Sequence, residues 1–267
     1  MTDTVIRCFQ YNILDFMDYV FYIDAVQGDD TNNLGIRSSL PFKTIKRAID
    51  YVPSGSKILI YLRVNQDHFI EEDIILKNKT IYFRLWLTSD DNIGCISYNE
   101  NNRSPNFPTI KNVSKLDLTN DDPGNISTGF ILLNKSQLFF DNVNITTPFL
   151  YDSSLNKSKY QGFIKYEELS EGSIQFKNSI ITINDIDLLN IPNIGSGLIQ
   201  YAMMNSKVLI NGQGNFINNI DNLPLIFFSK LSQAVASDGT VIDFSTLMNL
   251  NRTINNRPVN LLSNLIL

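Results

Sequence analysis

The chain has 267 residues, 43% of them hydrophobic, and a formal net charge of −5 at pH 7. That length and apolar content suffice for one long domain or two smaller ones. An acidic surface disfavours nucleic acid, whose backbone needs neutralisation by Lys and Arg, and no run of 18 apolar residues is present to insert into a membrane as a helix.

Met1 to Val20 carries Asp3, Asp15 and Asp18 among its apolar residues, so no signal peptide is expected. Segment 1–21 reads as an assembly or capping segment. The two cysteines, Cys8 and Cys95, make no framework and read as free thiols. Tyr22-Ile23-Asp24-Ala25 is a short strand, followed by the polar turn Gly28-Asp29-Asp30-Thr31-Asn32-Asn33 with Gly35 close behind. A helix is predicted over Pro41–Tyr51. Pro41 suits its first turn, and Phe42, Ile45, Ala48 and Ile49 share one face of a 3.6-residue period. Pro53-Ser54-Gly55 stops it.

Only strand-like runs follow. Lys57–Leu62, Asp73–Leu76 and Thr80–Leu87 read as strands, with Asn78-Lys79 turning between the last two. In the third run Tyr82, Arg84 and Trp86 share one face, and Ile81, Phe83, Leu85 and Leu87 the other. The polar stretches Asn99–Pro108, Thr119–Ser127 and Tyr151–Gln161 read as protruding loops, where binding usually sits.

Four later segments look alike: Leu138–Val143, Ile174–Ser179, Lys207–Gly212 and Thr240–Ser245 succeed one another at steps of 36, 33 and 33 residues. A strand-plus-turn unit at such a period signals a solenoid, in which stacked coils share a core. The alignment places Phe140, Phe176, Leu209 and Ile242 in one inward stack and makes Asp141 and Lys177 a cross-strand pair on the outer face. Asn142, Asn178 and Asn211 form a ladder, since Asn tolerates the left-handed backbone of tight turns. The apolar end Leu261–Leu267 reads as a cap or an oligomer contact, so the chain divides into 1–21, a main domain 22–247 and 248–267.

His68 is the only histidine and reads as an ordinary loop or strand-edge residue; no Ser/His/Asp triad and no His/Cys metal cluster is supported. Gly212-Gln213-Gly214 reads as a tight turn, so no nucleotide site, cofactor or metal is expected. Glycoside hydrolysis needs two carboxyl groups at a set separation. The local candidates are Asp185 and Asp187, two apart and on one face if extended. Glu71 with Asp73, Asp121 with Asp122, and the cluster Glu167, Glu168 and Glu171 are further acidic groups. For stacking on sugar rings the candidates are Trp86 and Tyr82, with Tyr98, Tyr151, Tyr160 and Tyr166 behind them.

The order of short strand, Gly/Asp/Asn turn, single amphipathic helix and then strands, over Tyr22 to Leu87, resembles the N-terminal end of the pectate-lyase-like right-handed parallel β-helix superfamily. The resemblance implies an all-β chain, a right-handed parallel β-helix whose short N-terminal helix caps the first coil. It carries over no functional residue. The lyases of this superfamily use calcium-holding aspartates and an arginine base, with no local match here. The Gly-X-Tyr element of many relatives is replaced by Val64–Glu71, which has no glycine.

The style of the chain is nearest to bacteriophage tail fibres and tailspikes. That resemblance implies a structural or receptor-recognition component of a virion, made in the host cytoplasm without a signal peptide. It would contact a cell-surface polysaccharide or another virion protein and assemble as a homo-oligomer, with a trimer favoured. A polysaccharide depolymerase on the same scaffold, glycoside hydrolase or lyase, is the alternative. A non-viral carbohydrate-binding protein, secreted or at the cell surface, is the third reading.

Overall fold

The computed structural model describes residues 16–87, 107–112, 115–116, 129–150, 162–167, 170–190, 199–212, 214, 216–218, 225–230, 233–236 and 238–242. Within them the regular structure is almost all strand. After β1 (Tyr19–Ile23) comes one six-residue helix, α1 (Ile45–Asp50). From there, through five circuits, the strands visit three sheets in a constant order. The first circuit is β2 (Lys57–Arg63) in sheet 1, β3 (Asp67–Ile70) in sheet 2 and β4 (Ile74–Lys77) in sheet 3. The second is β5 (Thr80–Trp86), β6 (Thr109–Asn112) and β8 (Phe130–Leu133), the third β9 (Gln137–Asp141), β10 (Asn144–Thr146) and β12 (Ile164–Tyr166). The small strands β7 (Lys115–Leu116) and β11 (Phe149–Leu150) pair with each other outside the three sheets.

The fourth circuit is β13 (Gly172–Lys177), β14 (Ile180–Ile183) and β15 (Leu189–Asn190), the fifth β16 (Ile199–Met204), β17 (Lys207–Ile210) and β18 (Ile217–Asn218). A sixth begins with β19 (Leu225–Lys230) in sheet 1 and β20 (Gln233–Ala236) in sheet 2, and β21 (Val241–Ile242) then pairs back on β20 within sheet 2. Every pairing between these strands is parallel except β20 with β21. Parallel neighbours need long crossovers; here the strands of the other two sheets supply them in place of helices.

The register shows where the repeat was misread. In sheet 1 the residues paired in line are Tyr19, Ile58, Ile81, Leu138, Ile174, Tyr201 and Phe227. Their steps are 39, 23, 57, 36, 27 and 26 residues. Phe140 does pair with Phe176, but the next partner is Met203. Leu209 belongs to β17 in sheet 2 and Ile242 to the antiparallel strand β21, so neither joins the stack. The later circuits shorten, and a fixed step of 33 overshoots sheet 1 and lands in the next sheet.

The inward column of sheet 1 is Ile60, Phe83, Phe140, Phe176 and Met203, all buried. The rings of Phe83 and Phe140 lie 5.2 Å apart, as do those of Phe140 and Phe176, with planes within 11° and 9° of parallel. Sheet 2 adds Ile110, Ile145, Ile181 and Val208, and sheet 3 adds Leu76, Leu132 and Tyr166. One apolar core thus runs between the sheets. Asparagine makes the corners. Asn65, Asn142, Asn178 and Asn205, between sheets 1 and 2, have φ of 58°, 59°, 53° and 45°; Asn78 and Asn134, between sheets 3 and 1, have 54° and 58°. Asn211 is exposed past the end of β17, so the ladder runs through Asn205 in its place.

The helix is shorter than its apolar period suggested. The Asp30 carboxylate accepts from Lys43 N at 2.7 Å, Thr44 N at 3.1 Å and Thr44 Oγ1 at 2.7 Å. Phe42 N donates to Tyr22 O, and Phe42 O accepts from Asp24 N. Residues 41–43 are therefore held against β1, Pro41 stays outside the helix, and Thr44 is the N-cap. Gly35, with φ +69°, leaves room for Phe42: a Cβ there would sit 2.2 Å from its ring. Buried Ile45, Ala48 and Ile49 set α1 across β2, β3 and β4, one strand from each sheet. At its far end the buried Lys79 donates to Ile49 O at 2.7 Å, a cation on the last carbonyls of a helix.

Candidate functional site

Alternation along the strands gives sheet 1 an outer face that sequence pattern exposed only in part. One row across it, in register, is Tyr22, Tyr61, Arg84, Asp141 and Lys177. The next is Val20, Leu59, Tyr82, Phe139 and Gln175, and Arg63 beside Trp86 completes the patch. Arg84 Nη2 lies 2.9 Å from Asp141 Oδ2, and Lys177 Nζ 3.9 Å from the same oxygen. The expected Asp141–Lys177 pair therefore forms, with Arg84 on its other side.

The rings are engaged with one another. Tyr82 stacks on Phe139 at 4.4 Å with planes 7° apart. Tyr22 stacks on Tyr61 at 5.2 Å and meets Trp86 edge to face at 5.3 Å. The Arg63 guanidinium carbon is 5.2 Å from the Trp86 centroid, a cation–π geometry. Leu59, Tyr61 and Trp86 are buried although they point away from the main core, and form a satellite cluster with Met17, Val20, Tyr22 and Tyr82. Burial pushes the Tyr61 phenol up, with Arg84 opposing, and burial alone raises Tyr82. Both stay neutral at physiological pH and can donate as well as accept. Tyr82 and Trp86 thus sit together on one patch, as their sequence spacing implied, but with ring faces already in contact. What the patch offers a ligand is phenol edges, guanidinium and ammonium groups.

The acidic candidates are placed elsewhere. Asp185 and Asp187 lie in the bend between β14 and β15, both half-buried, and not on one face of an extended strand. Asp185 N donates to Pro148 O at 3.3 Å and Asp187 O accepts from Phe163 N at 2.8 Å, so their backbones tie adjacent circuits together. Gly212 passes so close that a Cβ would lie 2.6 Å from Asp185 Oδ1 and 2.7 Å from Asn184 O, so close packing between circuits requires glycine there. Glu71 is exposed and Asp73 half-buried between β3 and β4. Glu167 pairs with Lys165 at 2.9 Å and Glu171 with Lys135 at 3.3 Å. Tyr166 is fully buried on the inward face of sheet 3, out of reach of a sugar. Asp121, Asp122, Glu168, Tyr98, Tyr151, Tyr160, Cys8, Cys95 and segment 248–267 lie outside the described residues, as do the loops 119–127 and 151–161.

His68 is not a loop residue: it sits on β3, the edge strand of sheet 2. It points inward from β3 and is 2% exposed. Its Nε2 donates to Arg63 O at 3.1 Å. Beside it, Gln66 accepts from Ala25 N at 2.8 Å through Oε1 and donates to Asp24 Oδ1 at 2.9 Å through Nε2. Asp24 Oδ1 also accepts from Val26 N and Gln27 N. Burial pushes the Asp24 carboxyl up, but Gln27, Gln66, Val26 and the Arg63 charge outweigh it and hold the group below its ordinary value. Nothing in the sequence flagged this junction, because its members come from separate elements.

Among the described residues no group of three or more His, Cys, Asp or Glu is placed to hold a metal ion. No protein-family model matches the chain, and no curated protein or solved structure matches it.

Proposed function

We propose that the circuits wind as a right-handed parallel β-helix of the pectate-lyase-like kind, closed at its N-terminal end by α1. We further propose that the chain is a structural, receptor-recognising component of a phage-like virion. The observation that carries the reading is the constant order in which parallel strands visit three sheets through five circuits, with one helix lying across β2, β3 and β4, one strand from each. Stacked parallel circuits give a stiff rod whose outward faces tolerate many side chains. The outer face of sheet 1 is the recognition surface in this reading. Tyr22, Tyr61 and Tyr82 supply hydroxyls there, and Arg84, Asp141 and Lys177 supply charged hydrogen-bonding groups suited to a surface glycan. Assembly as a homotrimer belongs to the same proposal.

Binding of the full chain to an array of capsular and lipopolysaccharide glycans tests the recognition role. Retention of a glycan that is lost in Lys177→Ala and Arg84→Ala supports it. Binding to none of the array, or binding unchanged by both substitutions, counts against it. Release of reducing ends from any of those glycans would establish the depolymerase reading in its place. Multi-angle light scattering tests the trimer: a particle of 30.4 kDa, the mass of one chain, would refute it.

A further inference from the structure

The junction around His68 has a property that the recognition role does not use. Because Nε2 donates to the Arg63 carbonyl, the imidazole is fixed as the Nε2–H tautomer and Nδ1 holds a lone pair. Nδ1 is buried and has no hydrogen-bond partner. A second proton would therefore place both a charge and an unpaired N–H inside the packed first circuit. Two residues earlier in the chain Gln66 makes the link to Asp24, whose charge acts on the ring, and this link fastens the segment after β1 to the β2–β3 corner.

We propose that His68 makes this junction an acid-operated latch: protonation of Nδ1 releases β1, the turn after it and α1 from β2, β3 and β4, while the later circuits stay folded. The charged groups around the ring come from several elements. Asp24 follows β1, Arg63 ends β2, and Asp67 precedes His68 on β3 with Lys111 of β6 paired to it. α1, which packs on β3, carries Lys46, Arg47 and Asp50. Burial lowers His68 from 6.5 to about 4, outweighing the Arg63 carbonyl and the charges of Asp24 and Asp67, which favour the imidazolium. Folded protein thus binds fewer protons than unfolded protein between those values. The stability His68 allows is complete above pH 6.5 and is lost as pH falls towards 4. Asp24 is held low and stays ionised through most of that window, so the histidine moves first. Opening is local because each circuit rests mainly on its neighbours. Release of β1 uncovers the edge of β2, a strand ready to pair with another chain.

A chain with one histidine makes the test direct. The imidazole of the full-length protein is followed by NMR from pH 7.5 to 4, alongside amide exchange corrected for the intrinsic rate. The expected result is protection in Tyr19–Ile23 and α1 falling on the order of fiftyfold between pH 7 and 4.5, in step with the ring titration. β13 and β14 keep their protection over the same range. In His68→Leu and His68→Gln, each kept for study if folded at pH 7.5, protection of β1 should change less than threefold over that range. If neither variant folds, the wild-type titration decides alone. A ring that titrates near 6.5 without loss of β1 protection overturns the latch. So does simultaneous loss of protection in every circuit, or an unchanged acid response in a folded variant.

Discussion

Asn205 donates its side-chain amide to Asn178 Oδ1 at 3.0 Å, one circuit away, and both residues have positive φ. The contact repeats a corner rather than a strand: each Asn ends a strand of sheet 1 in the left-handed region and starts the turn into sheet 2. Asn is suited to both tasks, tolerating that backbone and ladder-bonding to its own kind. Asn178→Ala should therefore cost about 1–2 kcal/mol, the penalty of a Cβ residue without Asn's local hydrogen bonds in that region. Asn178→Gly should cost less, since glycine adopts the backbone freely. Asn211→Ala, at an exposed position off the ladder, should stay within about 0.5 kcal/mol. Urea unfolding of the three variants checks the order. Equal losses at Asn178 and Asn211 would remove the corner account.

The phenylalanine column gives a second test. Phe140 is buried with Phe83 on one side and Phe176 on the other, each 5.2 Å away. Phe140→Ala should cost about 3–5 kcal/mol, because neighbours stacked in register leave a cavity that collapses poorly. Leu209→Ala should cost clearly less, since Leu209 is half-buried on the outer side of sheet 2. Chemical denaturation that ranks Leu209 with Phe140 would restore the register expected from the repeat.

That contrast shows what was legible. The strands β2, β4 and β5, the inward Phe140 and Phe176, the corners at Asn78, Asn142 and Asn178 and the Asp141–Lys177 pair follow from alternation and turn chemistry, which are local, whereas β3, β6 and β8 carried no such signal. The register of later circuits did not follow, because circuit length varies from 23 to 57 residues and no local rule fixes it. The helix start was misplaced because Asp30, 14 residues before Thr44, competes for the backbone that would open it. The outer patch was half visible: Tyr82, Arg84 and Trp86 share a strand and a face, whereas Tyr61 and Phe139 join them only through pairing.

The ladder Arg84–Asp141–Lys177 is partly sheltered, with Arg84 and Asp141 side chains 17% and 18% exposed. Removing the carboxylate leaves two cations flanking a neutral position and breaks a charge-assisted hydrogen bond. Asp141→Asn should destabilise by roughly 1–2 kcal/mol, more than a fully exposed pair would lose. A double-mutant cycle with Arg84→Gln should return a coupling of about 1 kcal/mol. Coupling should be weaker between Asp141 and Lys177, where the separation is 3.9 Å and Lys177 is 45% exposed. Additive behaviour in the Arg84 cycle would mean that the contact contributes no net stability.

The last expectation separates two ways of holding a sugar. Tyr82 lies against Phe139 at 4.4 Å, nearly parallel, and follows Leu59 in the same outward row. With its ring engaged, its free group is the hydroxyl. Tyr82→Phe keeps the stack and removes only that hydroxyl. It should leave thermal stability within about 0.5 kcal/mol of the parent. Glycan retention should fall roughly fivefold, about one hydrogen bond's net worth of 1 kcal/mol. A ring that grips sugar by its face predicts the opposite pattern, with Tyr82→Phe binding as well as the parent and only Tyr82→Ala losing affinity. Isothermal titration of both variants against a glycan retained on the array distinguishes the two. Full affinity in Tyr82→Phe would return Tyr82 to a stacking role and would mean that the Phe139 contact opens on binding.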